Sequence, residues 1–190
     1  MTTSLFLRQF LRNPRQISSI VPSSPYLARA MAQGLSGTTG RVVEFGPGTG
    51  SLTQGILAAG VRPADLTLFE LDSQFVATLR QQFAGVTVLN VPADQAPAHI
   101  APGVGAVVSG LPLLSIPHEI CAAIVKAAFD ILAPGAPFIQ FTYGPKPSIP
   151  ADIIADLGLD ARQSAFVWRN LPPARVYRFT RNRDQRLASA

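Results

Sequence analysis

Short apolar runs alternate along this chain with longer stretches of helical periodicity. Segments 41–45 (RVVEF), 66–70 (LTLFE), 86–89 (VTVL), 106–109 (AVVS) and 137–142 (PFIQFT) are rich in β-branched or aromatic residues and are followed by turn residues or acids. Between them lie helical stretches near 50–59, 73–84 and 117–132, the last with Ile120, Ile124, Ala128 and Ile131 on one face. Runs that are apolar on both faces, separated by helices, predict a parallel sheet covered on both sides. Segments 165–169 (AFVWR) and 175–180 (RVYRFT) flank Pro172 and Pro173 with no helix between them, so they are expected to pair antiparallel.

Two further helices precede the first strand. In the first, Phe6, Leu7, Phe10 and Leu11 fall on one side and Arg8, Arg12 and Arg15 on the other, with Leu5 misplaced. Such a segment can lie flat on an anionic leaflet, its apolar side at the acyl boundary. The second begins at Ser24, a suitable N-cap, with Pro25 in the first turn and Leu27, Met31 and Leu35 expected to be buried. The chain thus divides into N-terminal helices over 1–37 and a main domain over 38–190.

The 190 residues suffice for one core without a disulfide or structural metal. Cys121 stands alone and only His99 and His118 accompany it, so neither a disulfide nor a metal centre is expected. Residues 95–117 lack charge, but their prolines and glycines break them into pieces too short to span a bilayer. No secretory signal is expected, which implies the cytoplasm. Charge is segregated: the net is +5 over 1–41, −5 over 42–159 and +5 over 160–190. Cationic ends around an acidic centre favour an anionic partner surface.

The run 43–50 (VEFGPGTG) joins a predicted strand to a predicted helix. Gly46, Gly48 and Gly50 allow a tight turn and close approach to a ligand, with Thr49 among them. Glu44 would repel a pyrophosphate but attract a cationic amine. Glu70, twenty residues after Gly50, ends the next strand, placed to accept hydrogen bonds from both hydroxyls of a ribose. Asp94 follows the third strand, where it can take an exocyclic amine. Asp72 is better suited to capping the helix that follows it.

This order of acids and glycines resembles the class I S-adenosylmethionine-dependent methyltransferases over about residues 38–181. The resemblance implies a Rossmann-like α/β fold: a mostly parallel seven-stranded sheet, helices on both faces and an antiparallel C-terminal strand pair. It places the methionine end of S-adenosylmethionine at Glu44, Gly46, Gly48 and Gly50, the ribose at Glu70, and the adenine beside Leu71 and Ala93–Asp94. Ser109 would complete the cofactor side.

The fourth strand runs into 109–113 (SGLPL), at the carboxyl edge where open α/β sheets bind substrate. Adenine amino-methyltransferases commonly carry Asn or Asp, two prolines and an aromatic here; this chain has Ser109 and Leu113 instead. Segment 45–53 is similar to ribosomal RNA adenine dimethyltransferases, but no residues remain for their C-terminal helical domain. Segments 21–24, 110–114, 141–145 and 167–175 together resemble the bacterial phosphatidylethanolamine N-methyltransferases of the small soluble type. That resemblance implies methylation of the ethanolamine headgroup and its mono- and dimethyl derivatives, yielding phosphatidylcholine, by a monomer held peripherally on the inner face of the cell membrane and without nucleic acid. Tyr143 and Tyr26 are then the candidates to face the reacting amine, and Gly110, Leu111, Trp168, Arg175 and Arg178 the candidates to bind the lipid. RNA methylation and non-catalytic lipid or nucleotide binding are the alternatives.

Overall fold

A computed structural model describes residues 24–182. The expected amphipathic segment, with Phe6, Leu7, Arg8, Phe10, Leu11, Arg12 and Arg15, lies outside the described residues.

The chain opens with helix α1 (Pro25–Met31), whose N-cap Ser24 accepts a hydrogen bond from the Leu27 amide. Strand β1 (Val42–Phe45) leads into α2 (Ser51–Ala58), β2 (Leu66–Phe69) into α3 (Ser73–Gln82), and β3 (Thr87–Leu89) into the short α4 (Ala96–His99). Strand β4 (Ala106–Ser109), α5 (His118–Ile131), β5 (Phe138–Thr142), α6 (Ala151–Asp156), β6 (Leu159–Val167) and β7 (Ala174–Arg181) complete the order. Asp72 caps α3 by accepting from the Gln74 and Phe75 amides, as its position predicts.

The seven strands form one sheet in the order β3-β2-β1-β4-β5-β7-β6. The first five pair in parallel, and β7 inserts antiparallel between β5 and β6. On one face Phe45, Phe69, Val107, Phe138 and Phe179 pack with Ile120, Ile124 and Ala128 of α5. On the other, Val42, Leu68, Val108, Ile139 and Val176 pack with Leu27, Met31, Ile56 and Leu79 from α1, α2 and α3. Burial on both faces explains why the central strands read as continuous apolar runs. Helices α1 and α2 approach closely at Gly55, where a Cβ would lie 2.8 Å from the Ala28 carbonyl oxygen.

Two expectations about the edge need correction. Strand β6 starts at Leu159, well before the apolar run at 165, because it is an edge strand whose residues 160–164 are all exposed and carry no apolar signal. Trp168 and Arg169 lie in the turn that follows β6 rather than in the strand. Among the described residues no helix is long and apolar enough to cross a membrane, and no cluster of His, Cys, Asp and Glu could hold a metal ion.

Candidate active site

The parallel register aligns the carboxyl ends of four strands. Phe45 lies beside both Phe69 and Ser109, Phe69 beside Leu89, and Ser109 beside Gln140. Because β1 sits between β2 and β4, the strand order reverses there, and the loops after β1 and β4 border a crevice. Their roots are fixed by backbone bonds that extend the ladder: the Gly46 amide donates to the Phe69 carbonyl at 2.9 Å and the Gly110 amide to the Phe45 carbonyl at 2.8 Å. A Cβ on Gly110 would stand 2.6 Å from the Gly46 carbonyl oxygen, so the two loops touch backbone to backbone. Gly48 differs. Its φ is +53° and a Cβ there would meet nothing within 4 Å, so its backbone borders open space that a ligand can approach.

Two acids meet behind this loop. The Glu70 carboxylate accepts from the Gly48 amide at 3.0 Å and the Asp72 amide at 2.9 Å, tying the loop after β1 to the loop after β2. Each oxygen keeps a further lone pair, the arrangement a vicinal diol requires. Burial raises the Glu70 pKa, while backbone amides of Asp72, Gly48 and Leu71 oppose the rise. Asn90 holds this corner by donating to the Glu70 and Leu71 carbonyls at 2.9 and 3.0 Å. Sequence reasoning missed Asn90; its place directly after β3 was the available signal.

Glu44 is fully buried, and its Oε2 accepts from the Thr53 hydroxyl at 2.7 Å. Desolvation, aided by repulsion from Glu70 and opposed by the Thr53 bond, pushes its carboxyl up to about 8. Its Oε1 has no partner. A buried carboxyl with an orphaned oxygen beneath an open glycine loop fits a ligand that brings a cation, and the paired amides behind Glu70 fit one that brings a diol. Leu71 and Ala93 are buried in the same apolar cluster, with Asp94 half-buried beside them. The residues present therefore fit the cofactor expected from the sequence. Thr49 stands on the exposed side, with its hydroxyl 3.4 Å from that of Ser51.

The side expected to take the acceptor is built from β4, β5 and the β6–β7 turn. Ser109 is buried and its hydroxyl accepts from the Leu111 amide at 3.3 Å, so it shapes the turn. Gln140, also missed in the sequence, donates through Nε2 to the Leu111 carbonyl at 2.9 Å and the Phe141 carbonyl at 3.2 Å. Tyr143 follows β5, edge-on to Phe141, and its hydroxyl faces Asn170. Burial raises its pKa further above neutrality, so it stands as a neutral phenol. Buried Asn170 donates to the Pro172 carbonyl at 2.7 Å and accepts from the Ser24 amide at 3.3 Å, joining the β6–β7 turn to the start of α1.

Several residues expected at the lipid have partners within the chain. The Arg169 guanidinium lies 5.3 Å from the Tyr26 ring centroid and 5.0 Å from that of Trp168, so both rings already hold a cation of the chain's own. Arg175 pairs with Thr142 at the carboxyl edge and donates to the Gly144 carbonyl at 3.2 Å. Arg178 pairs with Ile139, three residues below that edge, and donates to the Gln33 carbonyl just beyond α1.

A curated relative, an ornithine lipid N-methyltransferase of Singulisphaera acidiphila, is 32% identical over 182 residues, covering 91% of this chain and 93% of that protein. The chain belongs to that family of class I S-adenosylmethionine-dependent methyltransferases. A ribosomal RNA small subunit methyltransferase A of Pseudomonas fluorescens is 45% identical, but over only 51 residues, 27% of this chain and 18% of that protein. Among solved structures, magnesium protoporphyrin IX methyltransferase of Synechocystis with bound S-adenosylmethionine superposes at a TM-score of 0.63. It is 14% identical, with 96% of this chain and 86% of that chain covered, and so supports the fold. No family profile matches the chain.

The methyltransferase uses S-adenosylmethionine, which supplies an electrophilic methyl group on a sulfonium. On this side the residues that would hold it are Gly48, whose backbone borders open space, Glu70, which would take the diol, and Glu44, which would offer a carboxyl to an ammonium; Gly46 would act by letting the loop close on Leu111.

Proposed function

We propose that this methyltransferase alkylates the primary amine of a membrane aminolipid. The observation that supports this best is the similarity to the ornithine lipid enzyme along nearly the full length of both chains. The acceptor loop agrees: Leu111 and Leu113 are buried in the core, and neither offers a ring on which a flipped base could stack. Motifs of the sequence favour phosphatidylethanolamine and its mono- and dimethyl derivatives, giving phosphatidylcholine; the relative's name favours ornithine lipid. Both present a primary amine on the polar head of an acylated lipid.

The amine must lose a proton before it can attack, because an ammonium has no lone pair. Tyr143, as a neutral phenol, accepts a hydrogen bond from an amine N–H and orients the lone pair, and water takes the proton. Its ring face favours the cation that grows with each methyl, by about 0.5–2 kcal/mol. The enzyme acts as a monomer at the cytoplasmic face, with residues 5–15 as its anchor and without nucleic acid. Labelled S-adenosylmethionine should be incubated with vesicles of phosphatidylethanolamine, vesicles of ornithine lipid, and ribosomal RNA in parallel. Label in a lipid headgroup is the expected result and its chromatographic identity selects the acceptor; label in RNA alone overturns the reading.

A further inference from the structure

We propose that the β6–β7 turn, residues 168–173, is a membrane-contacting element that seats the acceptor side of the site on an anionic bilayer. Its purpose rests on the aminolipid reading; its test does not. Trp168 and Leu171 are 68% and 83% exposed, the two most exposed large apolar side chains among the described residues. They project from one short turn. Asn170 between them points inward and holds the Pro172 carbonyl and the Ser24 amide, so the outward pair is braced against the fold. Scattered apolar residues on a surface need no explanation, but Tyr26 and Trp168 here share one guanidinium, that of Arg169, which joins them into a single patch.

Charge selects the occupant. Between Asp160 and Asp184 there are six arginines and no acid. Facing a second copy of itself, the patch would set Arg169 and Arg175 against like charges, whereas anionic headgroups neutralise them. An indole with an arginine at the same level is suited to the headgroup boundary, where the ring takes the interface and the guanidinium the phosphates. The patch is also beside the site: Asn170 faces the Tyr143 hydroxyl and Arg175 holds the Gly144 carbonyl. A headgroup can therefore reach Tyr143 while its acyl chains stay in the bilayer.

Trp168 is the chain's single tryptophan, so its fluorescence reports this turn and not the N-terminal segment. The full-length protein is mixed with vesicles of phosphatidylglycerol and phosphatidylcholine, which contain no primary amine. Trp168 emission should move to shorter wavelength and be quenched by brominated acyl chains. Leu171→Ser should lower vesicle partitioning by about ten- to a hundredfold, the scale of one buried leucine side chain, with S-adenosylhomocysteine affinity unchanged by calorimetry. Vesicle binding with unmoved emission overturns the proposal, because another segment then does the binding. So does the same spectral shift without lipid in a concentration-dependent dimer. If emission shifts on vesicles but no aminolipid is methylated, the turn stands and the acceptor reading falls. If detergent-dispersed aminolipid is methylated while emission on vesicles stays unmoved, the turn's membrane role falls and the acceptor reading stands.

Discussion

Replacing Glu44 by glutamine removes one ionisable group from beneath the cofactor loop while keeping the side chain's shape and its acceptor for the Thr53 hydroxyl. The carboxyl is raised from 4.5 to about 8 in the folded chain, chiefly by burial. Below pH 4.5 the folded and unfolded chains both hold its proton. Between 4.5 and about 8 only the folded chain does, so the unfolded state binds fewer protons and stability falls as pH rises through this window. Above it both forms are ionised and the loss is complete. At about 1.36 kcal/mol per pH unit, the whole interval amounts to roughly 5 kcal/mol. Glu44→Gln has no such proton to lose. Urea denaturation of both proteins from pH 4 to pH 9 should give curves that converge on the acid side and diverge on the alkaline side, the variant gaining relative to the wild type. Titrating groups other than Glu70 contribute alike to both proteins, so the difference reports Glu44 together with its repulsion by Glu70. Parallel curves would refute the argument.

The same proton links to the ligand. A cationic amine near the orphaned Oε1 favours the ionised form, so binding at pH 7 should expel the Glu44 proton. Calorimetry of S-adenosylhomocysteine binding, in buffers of different ionisation enthalpy, should then show up to one more proton released by the wild type than by Glu44→Gln. Equal release would remove Glu44 from the ammonium site even if the stability argument held.

Glu70→Ala deletes the acceptor for the Gly48 and Asp72 amides as well as the diol contact; we expect a stability loss of about 2–4 kcal/mol with cooperative unfolding, and at least ~100-fold weaker cofactor binding by calorimetry. Unchanged affinity would dismiss the ribose role. Tyr143→Phe keeps the ring and loses the hydroxyl that faces Asn170, so kcat for lipid methylation should fall by about tenfold, the scale of one hydrogen bond, with cofactor affinity intact. Deleting residues 5–15 should abolish most vesicle sedimentation and leave cofactor affinity unchanged; equal sedimentation of both proteins would argue for an ordinary packed helix.

What could be read from the sequence divides along physical lines. The central strands were legible because both faces are buried: the run at 106–109 coincides with β4, and 137–142 differs from β5 by one residue. The positions of the acids were legible because their order follows the strands: Glu44 lies in the last residues of β1, Glu70 directly after β2 and Asp94 in the turn beyond β3. Edge strand β6 was not, since exposure removes the apolar pattern, and α6 is too short to establish a period. Asn90, Gln140 and Asn170 escaped for another reason. Each acts by bonding backbone carbonyls brought near by the fold, and an amide side chain in a sequence carries no sign of which carbonyl it will meet. The contacts of the arginines were equally illegible: Arg169, Arg175 and Arg178 all have partners within the chain, which charge segregation alone cannot reveal.

The two kinds of relative carry different weight for the same physical reason. Glu44, the glycine loop, Glu70 and Asp94 fit inside a segment as short as the 51 residues shared with the Pseudomonas RNA enzyme. The proposed acceptor side does not, because it would draw Tyr26 from α1, Gly110 and Leu111 from the loop after β4, Tyr143 from the end of β5, and Asn170 from the β6–β7 turn. No match of that length can include both Tyr26 and Asn170. A shared segment that short can transmit at most one side of the crevice, and the cofactor is common to both enzyme types. Similarity over 182 residues, 91% of the chain, spans Tyr26 through Asn170 and with them the side on which the proposed reading seats the aminolipid. It follows that exchanging residues on the Tyr143 and Asn170 side should alter acceptor choice, while exchange within the 44–94 segment should alter cofactor affinity alone.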